Sequence, residues 1–319
     1  SDVYFSTESF AEYGKLSKRK LEDMLSGARI DIDLDKKNPA DFVLWKKDTE
    51  GLKWDSPWGP GRPGWHIECS AMSMDALGET FDIHGGGSDL KFPHHENEIA
   101  QSECVTGKEF AKVWMHTGSL RIDEQKMSKS LKNFITIKEA LNESSSEALR
   151  FFLISSHYRS PLNYYDEGLK EAKNSLDRLY NSLQELSYET DEHVPSEYSE
   201  KFHYAMQDDF NSPSAISVLF EMVKQINILK KEDQLTHANT LASELISLSN
   251  ILGILLDNPE EYFTSGIDLS NQDIEAAIER RNKARKEKDF ELSDKIRDDL
   301  LENGIILEDK GKKTIWRKS

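Results

Sequence analysis

The sequence contains little cysteine and no long apolar run. Its 319 residues include 2 cysteines, which argues against a disulfide framework, and a reducing environment is expected. The longest apolar stretches, such as 251–256, are far shorter than the roughly 20 residues that a membrane-spanning helix needs. No signal peptide is recognisable at the amino terminus. We therefore expect a cytoplasmic globular protein that does not bind membranes.

The sequence also lacks an excess of basic residues. The formal net charge is -17, which argues against indiscriminate binding to nucleic acids. The charge is uneven, because residues 279–319 contain 13 basic and 10 acidic residues, a net of +3, and the rest of the chain carries -20. A weakly basic tail on an acidic body suits the binding of one structured RNA. The same charges would equally suit a solvated helical surface.

The first part of the chain has the pattern of an α/β fold. Residues 81–84 indicate a short buried strand that ends at three glycines, and Pro93 is well placed to open a helix. Residues 113–116 indicate another strand. This order is typical of nucleotide-binding folds, whose ligands bind at the carboxyl ends of the strands. We assign the α/β domain to residues 49–143.

Residues 1–48 are expected to form a small mixed segment. Ser17 is a suitable N-cap for a short helix that contains Leu21, Met24 and Leu25. Apolar residues alternate with aspartates at 30–34, which predicts an exposed or edge strand. A loop rich in glycine, proline and tryptophan is expected over 54–65.

From about residue 144 the pattern becomes helical. Three stripes of apolar residues spaced three and four apart, which include Leu176, Met222 and Leu248, predict an antiparallel helical bundle over 144–264. Residues 265–319 are expected to form a small α+β domain. We predict its helices at 273–286 and 290–302, and a hairpin around 310–311.

Three residues have the donor chemistry of a zinc site. Cys69, His94 and Glu98 offer a thiolate, an imidazole and a carboxylate. Because His94 and Glu98 are four residues apart, a helix places both on one face. His95 is three residues from Glu98, so the spacing does not exclude it as the ligand. The competing interpretation is that Cys69 is a small buried apolar residue and that His94 caps a helix, and Cys104 is expected to be structural or incidental.

Two lysines suggest a phosphate site. Lys126 and Lys129 flank Met127 and Ser128 and form a cationic clamp that suits the phosphates of a nucleoside triphosphate. The glycines at 85–87 allow the backbone to approach a ligand closely. The alternatives are a flexible turn at the glycines and a solvated basic turn at the lysines.

These motifs resemble those of one enzyme family. The segment 126–130, Lys-Met-Ser-Lys-Ser, is similar to the signature loop of class I aminoacyl-tRNA synthetases. The segments 64–72 and 81–101 are similar to cysteinyl-tRNA synthetases specifically. The similarity continues through 38–46, 156–163 and 208–211. The resemblance therefore covers nearly the whole chain.

The resemblance implies a fold. The chain would carry only the second half of a Rossmann-like class I synthetase domain, followed by an α-helical bundle and a small C-terminal α+β domain. Residues 1–48 would be the remnant of a connective insertion, 144–264 a stem-contact and DALR-like tRNA-binding bundle, and 265–319 an anticodon-recognition domain. The family's first half, with its His-Ile-Gly-His signature and a fourth metal ligand, would precede Ser1, and the chain begins without methionine.

The resemblance also implies a metal. One Zn²⁺ per chain would be held by Cys69, His94 and Glu98. Zinc binds a soft thiolate tightly and a neutral hydroxyl weakly. Cysteine would therefore be selected over serine by coordination, without an editing domain.

The remaining site residues are assigned by the same resemblance. Lys126 and Lys129 would be catalytic and would stabilise the charge of the leaving pyrophosphate. ATP and the adenylate would contact His84, Gly85, Gly86, Gly87, Asp89, Lys126, Met127, Ser128 and Lys129. The substrate amino acid would contact Trp65, Cys69, His84 and Asp89. The tRNA would contact Arg159, Arg285, Phe290, Asp294, Asp309 and Trp316. At Phe290 the family has tryptophan, so stacking is kept but an indole N–H donor is lost.

We therefore expect ATP-dependent activation of L-cysteine, with Mg²⁺, and its transfer to tRNA(Cys) by a cytoplasmic monomer. A second interpretation is a cysteine ligase that acts on an aminosugar, which would share the zinc and lysine motifs but lack the tail at 169–319. A third is a non-catalytic tRNA-binding fragment, because the first half of the catalytic fold is absent from the chain.

Overall fold

The chain folds into two compact units. The structure is a computed structural model that describes residues 2–19, 36–48, 50–122, 124–127, 131, 133–188, 195–264, 271–310 and 313–318. The first unit comprises Ser1–Phe134 and Tyr158–Tyr164, and the second comprises Ile135–His157 and Tyr165–Ser319. The predicted helix at Leu21, Met24 and Leu25 and the predicted strand at 30–34 lie outside the described residues.

The first unit opens with an antiparallel sheet in the order β1 (Val3–Phe5), β2 (Phe42–Lys47), β3 (Gly61–Pro63). The prediction of a loop over 54–65 is wrong at β3, whose backbone pairs with β2. Helix α1 (Trp65–Leu77) follows directly. A Cβ atom at Gly64 would lie 1.9 Å from the carbonyl oxygen of Val43, so only glycine lets the helix begin this close to β2.

A parallel pair of strands forms the next sheet. Strand β4 (Phe81–Gly87) pairs with β5 (Ala111–Thr117), and helix α2 (Glu96–Thr106) connects them as such crossovers require. The two predicted strands are confirmed, but the prediction that the first ends at the glycines is wrong. Gly85, Gly86 and Gly87 continue the strand because each pairs with a residue of β5. Helical backbone geometry begins at Pro93 as predicted, because Phe92 before it is extended (φ -142°, ψ 133°), and a helical turn that includes His94 and His95 leads directly into α2.

A small sheet completes the first unit. Strand β6 (Leu120–Ile122) pairs antiparallel with β7 (Gln125–Lys126) and parallel with β8 (Leu162–Tyr164). The order is therefore β7-β6-β8. This sheet positions Lys126, the first lysine of the predicted clamp, at the end of a paired strand.

The second unit is helical up to residue 264, as predicted. Its helices are α3 (Ile137–Glu143), α4 (Ser146–Ile154), α5 (Asp166–Leu183), α6 (Glu197–Gln207), α7 (Ser212–Lys231), α8 (Leu235–Ile251) and α9 (Pro259–Thr264). The three apolar stripes lie on α5, α7 and α8, where Leu176, Met222 and Leu248 are buried. Helix α7 packs against both α6 and α8. No helix in the described part of the chain combines the length and the apolar character needed to cross a bilayer.

The last part of the second unit also follows the prediction. Helices α10 (Asn271–Glu287) and α11 (Phe290–Glu302) precede an antiparallel hairpin of β9 (Ile305–Lys310) and β10 (Lys313–Lys318). Their core is a cluster of buried aliphatic side chains that includes Ile274, Ile278, Ile296, Leu300 and Ile305.

Burial along α7 gives a test of the bundle core. Ile226 is fully buried, whereas Ile228, two residues further on, is 37% exposed. We expect Ile226→Ala to lower the free energy of unfolding by about 2–5 kcal/mol, because it leaves a cavity among packed helices. Ile228→Ala should cost about 1 kcal/mol or less. Urea unfolding followed by helical circular dichroism measures both, and equal losses would contradict this description of the core.

Candidate functional site

Two short helical stretches of the first unit converge on one buried spot. Helix α1 contributes His66 and Cys69, which are one turn apart and so share a face. The helical turn before α2 contributes His94, and the first turn of α2 contributes Glu98. The two helices are held together by a hydrogen bond of 3.0 Å from Gln101 Nε2 to the Ser70 hydroxyl.

The three predicted metal ligands meet at this spot. One ligand atom each from Cys69, His94 and Glu98 lies within 4.8 Å of the other two. Glu98 is fully buried and His94 is 4% exposed. A thiol, an imidazole and a carboxylate on three different turns of the chain therefore surround a common point.

The Glu98 carboxylate has unusual surroundings. Its Oε1 atom lies 2.8 Å from His94 Nε2, and its Oε2 atom lies 3.2 Å from His84 Nε2. Among the described residues, neither oxygen accepts a hydrogen bond of good geometry. Burying a carboxylate in this way is costly unless a cation or donors compensate it. The site therefore has the charge and the donor atoms that a divalent metal ion would satisfy.

A second histidine orients the first. His66 Nδ1 lies 2.8 Å from His94 Nδ1, so one of these nitrogens donates a hydrogen to the other. Burial lowers the pKa of His66 to about 4, and His66 is therefore neutral at physiological pH. When His94 is the donor, its Nε2 atom keeps a free lone pair directed at the centre of the site.

His95, the alternative ligand, belongs to a different cluster. It groups with His84 and Glu98, and Cys69 is not part of this group. Its Nδ1 atom lies 2.8 Å from His116 Nε2, and burial, with His84 as the next contribution, lowers its pKa to about 3. Its ring rests against β4, where a Cβ atom at Gly86 would lie 2.8 Å from His95 Cε1. Glycine is thus needed here so that the ring can pack against the strand.

The other predicted substrate contacts surround the same spot. The Trp65 ring is 59% exposed, and its centroid lies 4.3 Å from that of His94. Burial, followed by the charge of Glu98, raises the pKa of the Cys69 thiol, which is therefore protonated when no cation is near. Cys104 is an exposed thiol outside the cluster.

The lysine clamp is partly described. Lys126 Nζ forms an ion pair of 2.9 Å with Asp89 Oδ2, and this interaction holds the pKa of Asp89 below its usual range. Both side chains are more than half exposed. The backbone N–H of Met127 donates to Leu120. Ser128 and Lys129 lie outside the described residues.

The ion pair between Lys126 and Asp89 joins the predicted phosphate clamp to the predicted substrate site. Asp89 follows the glycines of β4 and is predicted to contact the adenylate and the substrate amino acid. In this structure its partner is Lys126, and its Oδ1 atom would lie 2.6 Å from a Cβ atom at Gly87. The lysine is thereby held at the carboxyl end of β4, beside the glycines.

The predicted RNA contacts belong to both units. Arg159 is exposed in the first unit, with its guanidinium 5.0 Å from the Tyr158 ring centroid. In the second unit, Phe290 is 63% exposed at the start of α11, and Asp294 pairs with Arg297 at 3.4 Å. Trp316 packs against the aliphatic cluster of its domain.

Asp309 is the most strongly held of these residues. Arg281 Nη1 and Nη2 each donate to one of its oxygens at 3.1 Å. Arg285 donates at 2.7 Å and the Thr314 hydroxyl at 2.8 Å. These interactions, led by Arg281, hold the pKa of Asp309 far below its usual range. The Arg281 side chain is 9% exposed, whereas Arg285 is 47% exposed.

Sequence reasoning missed two positioning residues, although each had a signal. His66 precedes Cys69 by three residues, which places both on one face of α1. Arg281 precedes Arg285 by four residues, which places both on one face of α10. His116 carried no such signal, because it reaches His95 through the pairing of β4 and β5.

Comparison with known proteins agrees with this architecture. The family model of the "tRNA synthetases class I (C) catalytic domain" matches residues 1–174, the DALR domain matches 201–257, and the "Cysteinyl-tRNA ligase anticodon binding domain" matches 270–317.

Curated relatives cover the whole chain. A cysteine–tRNA ligase of Hahella chejuensis is 54% identical over 100% of this chain and 70% of that protein. One of Marinobacter nauticus is 52% identical over 100% of this chain and 70% of that protein. One of Alkalilimnicola ehrlichii is 52% identical over 99% of this chain and 70% of that protein. The chain thus spans about 70% of the length of these relatives. By these matches, the chain belongs to the cysteinyl-tRNA synthetase family of class I tRNA synthetases.

Proposed function

We propose that the protein activates L-cysteine with ATP and Mg²⁺ and transfers the cysteinyl group to tRNA(Cys). The observation that carries this proposal is the meeting of Cys69, His94 and Glu98 within 4.8 Å of one another. The support from relatives is that they are named cysteine–tRNA ligases. Residues 270–317, which match an anticodon binding domain, favour an RNA acceptor over an aminosugar.

The cluster is suited to recognise sulfur. Cys69, His94 and Glu98 would hold one Zn²⁺ per chain, with Glu98 contributing the charge that no described donor satisfies. When bound, zinc supplies a soft Lewis-acid site that prefers the thiolate of cysteine to the hydroxyl of serine. Trp65, beside His94, would cover the small substrate side chain and exclude water.

The first chemical step concerns the lysines. The substrate carboxylate attacks the α-phosphorus of ATP, a new O–P bond forms, and pyrophosphate leaves with its negative charge. Lys126 and, by family resemblance, Lys129 would stabilise that charge. The Asp89 carboxylate keeps Lys126 beside the glycines of β4, where His84 through Gly87 and Met127 with Ser128 would line the adenylate site.

In the second step, a terminal ribose hydroxyl of the tRNA attacks the activated carbonyl carbon, and AMP leaves. Arg159 in the first unit and the predicted residues of the C-terminal domain would contact the tRNA. Arg285 and Phe290 are available for this role because both are substantially exposed. Asp294 and Trp316 complete the proposed set. Trp316 packs against the aliphatic core of its domain and would support the contacting residues.

We further propose the domain roles that the family resemblance implies. Residues 1–48 belong to a connective insertion, 49–143 to the second half of the Rossmann-like fold, 144–264 to the tRNA-binding bundle and 265–319 to the anticodon domain. Both cysteines are free thiols, which supports a cytoplasmic location. We propose that the protein acts as a monomer.

Cysteine-dependent exchange of pyrophosphate into ATP tests the activation step, and charging of tRNA(Cys) tests the transfer. We expect both, with serine supporting exchange far more weakly than cysteine. A protein that binds tRNA(Cys) but shows no cysteine-dependent exchange would contradict the proposal and support a non-catalytic RNA-binding role.

Replacing the two cysteines one at a time gives a matched pair for the metal site. Cys69→Ala removes a proposed ligand, so bound zinc and the exchange rate should both fall by roughly 100-fold or more, at least as much as for supporting residues. Cys104→Ala changes an exposed thiol and should leave both unchanged. Full zinc content in Cys69→Ala, measured by atomic absorption after dialysis, would refute the assignment of this ligand.

His66 should act through the tautomer of His94. His66→Ala removes the acceptor 2.8 Å from His94 Nδ1 and should weaken zinc binding roughly 10- to 100-fold. His66→Asn keeps an oxygen acceptor near that position and should restore most of the affinity. Chelator competition measures the zinc affinity independently of catalysis. Equal losses in the two variants would mean that His66 contributes only packing.

Asp309 should stabilise the C-terminal domain in a pH-dependent way. Its folded-state pKa is depressed, so its contribution is present above the ordinary pKa of aspartate and declines as pH falls below about 4. Asp309→Asn should therefore cost about 1–2 kcal/mol near neutral pH, a modest value because the carboxylate is 38% exposed. Thermal unfolding across pH measures this difference, and a gap that persists unchanged in acid would contradict it.

A further inference from the structure

Helix α9 joins the bundle to the C-terminal domain within the second unit. It packs against α5 of the bundle and also against β10 of the terminal hairpin. Among the described helices and strands, no other pairing of a bundle element with an element of the C-terminal domain is as extensive. Helix α9 has six residues, and a helix this short is not stable without tertiary contacts. Its side chains must therefore hold it in place.

Tyr262 is the side chain that fastens α9 to α5. Its ring stacks on that of Tyr180, with the centroids 3.7 Å apart and an angle of 14° between the planes. Its hydroxyl donates a hydrogen bond of 2.8 Å to Asp177 Oδ1, which is also on α5. Lys173 in turn pairs with Asp177 at 3.2 Å. The stacking fixes the distance between the two helices, and the hydrogen bond fixes the orientation of the ring.

The surface on which Tyr262 stacks is itself fixed. Tyr180 is fully buried, and its hydroxyl donates to Glu147 Oε2 of α4 at 2.9 Å and accepts from the backbone N–H of Asp257 at 3.3 Å. The Glu147 carboxylate also accepts from the backbone N–H of Leu255. Helix α4, helix α5 and the turn after α8 thus share one network. Tyr180 cannot shift without breaking hydrogen bonds in a mostly buried setting, which is costly.

We propose that Tyr262 is a positioning residue that holds the C-terminal domain against the bundle, so that the anticodon and the body of one tRNA are bound at a fixed spacing. The inference rests on the proposed function, which supplies the tRNA. Tyr262 does not contact the RNA. A ligand that contacts two surfaces is bound more tightly when those surfaces are held at the matching separation, because the second contact then costs little further entropy.

Replacing Tyr262 in the whole protein tests the anchor. Tyr262→Leu removes both the stacking and the hydrogen bond, whereas Tyr262→Phe keeps the ring on Tyr180 and loses only the hydrogen bond to Asp177. Tyr204→Leu is the control, because Tyr204 is 77% exposed in the same unit. We expect the KM for tRNA(Cys) to rise about tenfold or more in Tyr262→Leu and about threefold in Tyr262→Phe. The control should keep the KM of the unmodified protein.

A shorter substrate separates positioning from a purely structural role. An acceptor-stem minihelix of tRNA(Cys) lacks the anticodon, so it does not need the C-terminal domain, and Tyr262→Leu should charge it as fast as the unmodified protein does. Cysteine-dependent pyrophosphate exchange should also be unchanged. Small-angle X-ray scattering should show a larger radius of gyration for Tyr262→Leu. Circular dichroism checks folding, and if Tyr262→Leu unfolds, the comparison of tRNA with minihelix in Tyr262→Phe decides.

Three results would overturn the inference. These are an unchanged KM for tRNA(Cys) in Tyr262→Leu, an equal loss on tRNA(Cys) and on the minihelix, and an unchanged radius of gyration. Absence of both exchange and charging in the unmodified protein would instead refute the proposed function. The radius of gyration would then still test whether Tyr262 holds the C-terminal domain against the bundle.

Discussion

The buried carboxylate of Glu98 is the constraint on which the site depends. Its two oxygens face His94 at 2.8 Å and His84 at 3.2 Å, in a setting where no described group donates a well-formed hydrogen bond. Such a charge is tolerated in a protein interior only when positive charge compensates it. Strand β4, helix α1 and the turn before α2 each bring one side chain to this carboxylate. The packing of these three elements therefore also forms the candidate site for a divalent cation.

The two units are stabilised by different means. In the first unit, α2 buries polar residues, and the Glu96 carboxylate accepts hydrogen bonds from the backbone N–H groups of Gly14, Leu16 and Ser17. In the second unit, α5, α7 and α8 bury continuous apolar stripes. Polar partners fix geometry through direction and distance, whereas apolar packing is less directional. The unit that must hold ligand atoms in place thus uses the more specific interactions.

Charged side chains of the second unit differ in whether a partner fixes them. Asp309 is held by the buried Arg281 and the exposed Arg285, so the carboxylate is fixed before any ligand arrives. Lys224 and Lys231 of α7 form no ion pair with any described carboxylate, so no described partner fixes their charge. The first arrangement suits recognition that requires a rigid group, and the second suits contacts that depend on charge alone.

The sequence by itself determined the helical stripes of the bundle, the terminal hairpin and the spacing that puts His94 and Glu98 on one helix face, because periodicity and helix spacing are local properties. Cys69 was added to these two ligands by the family resemblance and not by any local pattern. Only the tertiary structure decided which groups those residues meet. Gly85 to Gly87 continue a strand because β5 supplies their partners, and Gly64 is needed because β2 crosses close to α1. The pairing of His66 with His94 likewise joins residues 28 positions apart. Contacts of this range depend on how whole elements pack, and no local pattern encodes them.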